Sequence, residues 1–214
     1  MAMRQLFLLA ILAAGLAGCS STEGVNPELR KWLSQDDDVS DFSAEFEALS
    51  QSGAPALIVA VEDREQTAVF LRRVRRDGVE NWISADEVSL DFRSGFLVGS
   101  RGLGGDLMTA DVAQSRALVL SGRAGTAKRF HSYLGGEDQV EIRTYVCQIA
   151  SRGARDVDLG KRVVATRLMQ ERCQGADQSF QNLYWVDPGR GEIVQSRQWA
   201  GAEIGPLAFR QVLR

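Results

Sequence analysis

Histidine is nearly missing from this chain: His131 is the only one in 214 residues. A histidine-built zinc site or serine triad would have to rest on that one ring. No serine stands in the Gly-x-Ser-x-Gly setting of a nucleophile elbow. No Gly-x-x-x-x-Gly-Lys-Ser/Thr loop and no Gly-x-Gly-x-x-Gly helix start offers a phosphate cradle. "QDDD" (35–38) lacks the later Gly and Glu of a calcium loop. Carboxylate pairs such as Glu45/Glu47 and Asp156/Asp158 occur, but their spacing singles out none for acid/base work. The residues therefore specify no enzyme, no metal and no cofactor. Positive charge is also short: 25 Lys and Arg face 28 Asp and Glu, a net charge of −3. That balance argues against nucleic acid as a partner, which needs a positive footprint. Beyond residue 18 no apolar run is long enough to span a bilayer.

What is present at the start is "FLLAILAAGLAGCS" (7–20), a short apolar run behind Arg4. It is too short for a transmembrane helix and reads as a secretory signal. Its end, Leu16-Ala17-Gly18-Cys19, resembles the bacterial lipobox. The resemblance implies cleavage before Cys19, so that residues 1–18 are lost, and acylation of Cys19 on its sulfur and new amine. Two or more acyl chains hold a protein stably to a membrane, so this anchor would suffice. Ser20 follows; Asp at that position is the inner-membrane retention signal, so Ser20 implies the outer membrane, facing the periplasm. Of the three cysteines, Cys147 and Cys173 then remain, an even pair in an oxidising compartment.

Residues 19–25 read as a polar tether and 26–214 as one domain. Asn26-Pro27 opens a short helix carrying Leu29, Trp32 and Leu33, and a second fits Ser40 to Ser50. From Ala56 the apolar period changes to two. "ALIVAVED", "TAVFLRRVRRDGVENWIS" turning at Asp77-Gly78, and "EVSLDFRSGFLVGS" turning at Ser94-Gly95 read as strands and hairpins. "RALVLSG", "AKRFHSYL", "QVEIRTYVCQIAS", "KRVVATRLMQERC", "NLYWVD", "EIVQSRQWAGA" and a last strand to Leu213 continue the series. About a dozen strands predict a mainly β fold. Its sheet is curved and antiparallel, an open barrel or sandwich, with short N-terminal helices and one short internal helix near Asp106 to Gln114. The glycines of "RGLGGDLMTAD" (101–111) are expected to form a strand-to-helix corner with Asp106 as the helix cap.

The four arginines of "RRVRR" (72–76) could meet anionic lipid headgroups or an acidic polysaccharide, but strand alternation sends them to both faces and they read rather as a solvated hairpin tip. Trp82, Tyr184, Trp185 and Trp199 could stack on sugar rings or pack in the core. Tyr184 and Trp185 must face opposite ways, which marks them as the place to look for a ligand surface. If the hairpin around "RGARDVDLG" centres near residue 160, Cys147 and Cys173 stand opposite each other and can form a disulfide.

"SGFLVGSRGLGGDL" in mid-chain and "QNLYWVDPGRGEIVQSRQWAGAEIGPL" near the end, behind a lipobox, resemble the YjbF/GfcB lipoproteins. These are encoded in operons for exopolysaccharide or capsule production. The resemblance implies a mostly antiparallel β, non-enzymatic lipoprotein of the outer membrane. Its partners would be the membrane, through the N-terminal lipid, and export proteins or the polysaccharide itself. A periplasmic carrier for a lipid-like ligand is the other reading. An apolar cavity without polar groups would favour the carrier, and a shallow aromatic-and-polar groove the polysaccharide accessory.

Overall fold

A computed structural model describes residues 48–212, except 50, 135–138 and 161. Twelve strands form one antiparallel sheet: β1 (Ala56–Val61), β2 (Gln66–Arg76), β3 (Val79–Ser84), β4 (Ser89–Arg93), β5 (Phe96–Arg101) and β6 (Leu107–Asp111). After a helix, α1 (Ala113–Ser121), come β7 (Gly125–Leu134), β8 (Val140–Asp158), β9 (Val163–Gln174), β10 (Ser179–Asp187), β11 (Glu192–Gly201) and β12 (Gly205–Val212). A 3₁₀ turn, Glu62–Arg64, joins β1 to β2. Each strand pairs with its sequence neighbours, except β5 with β6, and β1 also pairs with β12. The sheet therefore curls into a nearly closed up-and-down barrel. Its one seam lies between β5 and β6, which stand at opposite ends of the strand order.

Side chains bridge that seam. Arg101 donates to the carbonyl of Leu107 at 3.1 Å, and the Leu107 N–H donates to Ser100 Oγ at 3.0 Å. Asp106 accepts from Ser100 Oγ (2.8 Å), Gly102 N (2.8 Å) and Leu103 N (3.2 Å). The expected corner is thus a strand-to-strand turn, and Asp106 ties it rather than capping a helix. Gly102, Gly104 and Gly105 adopt φ of +91°, +74° and +58°, which glycine tolerates without a Cβ penalty.

The internal helix also lies later than expected. Residues 107–111 form β6, and "RALVLSG", expected as a strand, makes up most of α1. Asp111 supplies the capping carboxylate, accepting from Ala113 N at 3.0 Å. The helix buries Ser115 and Val119, four residues apart, against the barrel interior. It stops at Gly122, whose φ of +71° closes the last turn onto Leu118 and Val119. Helices expected at the N-terminus fall mostly outside the described residues; the helical residues 48, 49 and 51 end the second. There Ala54 N donates to Leu49 O at 3.1 Å, and Leu49 packs on the outer face of β1 and β2 against Ala56, Val69 and Leu71.

The inner face carries the main core, including Leu57, Val59, Phe70, Leu90, Phe92, Phe96, Tyr184 and Phe209. Burial of each such side chain is worth about 1.5–3 kcal/mol. The β5 edge leans across this interior onto β11. Gln198, fully buried, accepts from Leu97 N at 2.9 Å and donates to Gly95 O at 2.8 Å. Its amide takes the place of the missing neighbouring strand for two backbone groups of the edge. A smaller cluster of Val157, Leu159, Val164 and Val194 covers Trp185 on the outer face.

Candidate functional site

Two places combine polar groups with the barrel interior. The first is wholly buried. Glu171 on β9 accepts from Arg129 of β7 at 2.7 Å, from Asn182 Nδ2 at 2.8 Å and from the Tyr184 hydroxyl at 2.8 Å, both of β10, and from Ser115 Oγ of α1. Arg129 also donates to the Tyr184 oxygen at 3.1 Å. Burial pushes the Glu171 carboxyl up, but the Arg129 charge and the hydrogen bonds hold it below its ordinary range. Burial works against the charge on Arg129, yet Glu171 keeps it protonated. Burial, and then Glu171, raise the Tyr184 phenol. Both charges stay ionised and paired, Arg129 through Nη1 while its Nε has no partner, so the group clamps α1, β7, β9 and β10 together and fills the space between them.

His131, also on the inner face of β7, is fully buried. Its Nδ1 lies 3.0 Å from the Tyr133 hydroxyl, and its ring packs on Tyr145 and Phe180. Burial, then the Arg129 charge, push its pKa well down, so the ring is neutral. Trp199 stacks on Phe180 at 5.6 Å. Cys147 and Cys173 pair directly across β8 and β9, with Cα atoms 4.0 Å apart, and are joined in a disulfide. The tip pairs Asp158 with Val163, one step off the register the cysteines need. A bulge between Ser151 and Ala154 restores it. Glu171 lies beside the two sulfurs, but sulfurs bonded to each other offer no thiolate to a metal.

The second place is a cleft of about 440 Å³ at the barrel end carrying the β2–β3, β4–β5 and β10–β11 turns. Its apolar floor is Trp82, Phe92, Phe209 and Ile193, and its rim holds Arg72, Arg75 and Glu80. Directly paired residues share a face of the sheet. Arg72 pairs with Trp82, Arg75 with Glu80, and Glu80 with Phe92, so all five point inward. Plain alternation would send Arg72 and Arg75 to opposite faces. An extra residue, Arg73, bulges out of the β2–β3 ladder and turns both inward. Glu80 lies 3.4 Å from Arg72 and 3.7 Å from Arg75.

Tyr184 and Trp185 do face opposite ways, Tyr184 inward and fully buried, Trp185 outward and partly buried. Tyr184 belongs to the buried clamp, and Trp185 is packed under the outer cluster. Cys19 lies outside the described residues. Among the described residues no helix is long and apolar enough to cross a membrane. Sequence reading missed Arg129, Glu171 and Gln198 as organising residues. One signal was available: Ala127, Arg129, His131 and Tyr133 alternate on one face, placing a charge in line with core positions.

The model for the family "Group 4 capsule polysaccharide lipoprotein gfcB, YjbF" matches residues 28–212. This chain belongs to that family. It is 24% identical over 209 residues to the uncharacterized lipoprotein GfcB of Escherichia coli (strain K12), covering 94% of each protein. The crystal structure of the hypothetical lipoprotein YmcC from Escherichia coli (K12) shares the fold. Its TM-score is 0.68 at 18% identity, over 87% of this chain and 94% of that one. The family match spans both blocks that carried the resemblance, the seam turn and the β10–β11 hairpin.

Proposed function

We propose that this lipoprotein is a non-catalytic accessory of exopolysaccharide or capsule secretion, anchored through Cys19 to the outer membrane and facing the periplasm. The family match over residues 28–212, to lipoproteins described by a capsule polysaccharide, carries this reading. The geometry supports it over the lipid-carrier alternative. The interior between α1 and the β7–β10 wall is occupied by the Arg129–Glu171 clamp, where an acyl chain would strand two buried charges. The cleft at the open end is polar at its rim and aromatic at its floor, the mixture suited to sugar. His131 is neutral and buried, and its Nδ1 is turned to the Tyr133 hydroxyl. The lipid fixes the location and the rigid barrel presents the cleft to polymer or to export partners.

Replacing Cys19 with Ala tests the anchored reading. The expected result is a folded protein released from membranes, with surface polymer falling toward the level of a strain lacking the protein. Full surface polymer from the released protein would contradict it. Single substitution of the exposed carboxylates, one at a time, should leave polymer output unchanged. One such change that abolishes output in a folded, anchored protein would point to a glycan-processing enzyme instead.

A further inference from the structure

The bulge at Arg73 spends a residue to aim two guanidinium groups into one cleft. Bulges of this kind re-aim side chains at functional sites. Arg72 and Arg75 are partly exposed, with side chains 33% and 67% accessible, so the fold does not need them buried. The single carboxylate between them, Glu80, is 23% accessible and sits at 3.4 and 3.7 Å. Strong charge-assisted bonds between guanidinium and carboxylate run at about 2.7–2.9 Å. Both arginines therefore keep donors for a second carboxylate. Glu192 of β11 also lines the cleft, so two arginines face two carboxylates there, and the forked guanidinium donors rather than a net positive charge would select the ligand. Below it, Trp82 and the edge-to-face pair Phe92 and Phe209, 4.9 Å between centroids, make an apolar floor for the C–H face of a sugar ring. Trp82 adds an indole N–H that has no acceptor.

We propose that this cleft binds a carboxylated sugar unit of a polysaccharide, with Arg72 and Arg75 gripping the carboxylate above the aromatic floor. The inference rests on the polysaccharide reading above and adds to it the ligand class and the residues. Planar, forked arginine donors match a carboxylate two bonds at a time, which sets an acidic sugar apart from a neutral one of the same size. Glu80 holds the two arginines in place when the cleft is empty and yields them when the ligand's carboxylate enters. Its own charge opposes that entry.

The test is calorimetric titration of the full lipoprotein in neutral detergent with tetragalacturonate, cellotetraose and dihexanoyl phosphatidylglycerol. Saturable tetragalacturonate binding is expected, weakening as salt rises. Cellotetraose should bind at least about tenfold more weakly, the scale of one good charged hydrogen-bond pair. The double variant Arg72→Gln, Arg75→Gln should lose about tenfold or more by the same reasoning while keeping the wild-type circular dichroism. Glu80→Gln should bind as tightly as wild type or tighter, an effect that a purely structural role for the trio would not produce. No saturable binding of tetragalacturonate, equal binding of cellotetraose, preference for the phospholipid, or an undiminished double variant would each overturn the inference. In cells the two readings separate. Normal export from the arginine double variant, with export lost in the deletion, removes this inference and leaves the accessory role standing.

Discussion

Arg129 and Glu171 form a salt bridge of 2.7 Å between side chains that are 1% and 0% accessible, 42 residues apart in sequence. Removing one partner strands the other charge in the core, which costs about 3–5 kcal/mol, whereas replacing both by apolar groups costs much less. Glu171→Met and Arg129→Met should each lower the urea midpoint sharply. The double variant Arg129→Met, Glu171→Met should fall less than the sum of single changes. Additive losses in the cycle would show that the two do not act as a pair.

His131 and Glu171 give the barrel a marked acid sensitivity. The folded pKa of His131 lies well below its ordinary 6.5, so the unfolded chain takes up its proton first as pH falls. Stability from this ring is complete above pH 6.5 and is lost progressively below it. The folded pKa of Glu171 is also depressed, from 4.5, so its contribution is present above that pH and lost as pH drops through the lower folded value. The groups facing His131 are Arg129, Tyr133 and Tyr145, and none of the three titrates in this range in the folded chain. Melting temperatures of wild type should decline between pH 7 and 5, and His131→Phe should flatten that decline while leaving the steeper loss below pH 4.5. An unchanged slope in the variant would mean that the buried ring does not control it.

Gln198→Leu keeps the volume and removes the amide that serves β5. It leaves the Leu97 N–H buried without this partner, at about 1–3 kcal/mol, and removes the donor to the part-buried Gly95 C=O. Hydrogen exchange at the Leu97 amide should accelerate far more than at amides of β9 or β10. Uniform acceleration across the sheet would mean that the seam is held by other contacts.

The sheet was legible in the sequence because apolar, β-branched runs of strand length are punctuated by turns such as Asp77-Gly78 and Ser94-Gly95. The region 102–122 was not. "RALVLSG" is rich enough in Leu and Val to read as a strand, and in the fold α1, which holds most of it, packs against the barrel through Val119 and through Ser115 donating to Glu171, a contact 56 residues away. Gly122, the C-cap, was the one local clue. Asp106 looked like a helix cap because an acid after glycines serves either a helix or a turn, and only the seam decides which. The cleft was hidden for a different reason. Alternation separates Arg72 from Arg75, and a bulge that reverses this is set by pairing with β3, not by the local residues.

The disulfide closes a separation of 26 residues, which by chain entropy contributes about 3–4 kcal/mol. Cys147→Ala, Cys173→Ala should lower the melting temperature without changing the fold, since the pair lies among Tyr145 and Phe180, which still pack. Thiol titration of the denatured, non-reduced protein should find neither cysteine. Two reactive thiols would refute the bridge.

The central claim is that the lipoprotein serves polymer delivery and not polymer synthesis. It is tested most directly by measuring polysaccharide at the cell surface and in the periplasm of a strain lacking the protein, with and without the wild-type gene restored. The account predicts reduced surface polymer, continued synthesis of the precursor, and recovery with the restored gene. Unchanged surface polymer in the deletion strain, or a halt in precursor synthesis itself, would contradict it.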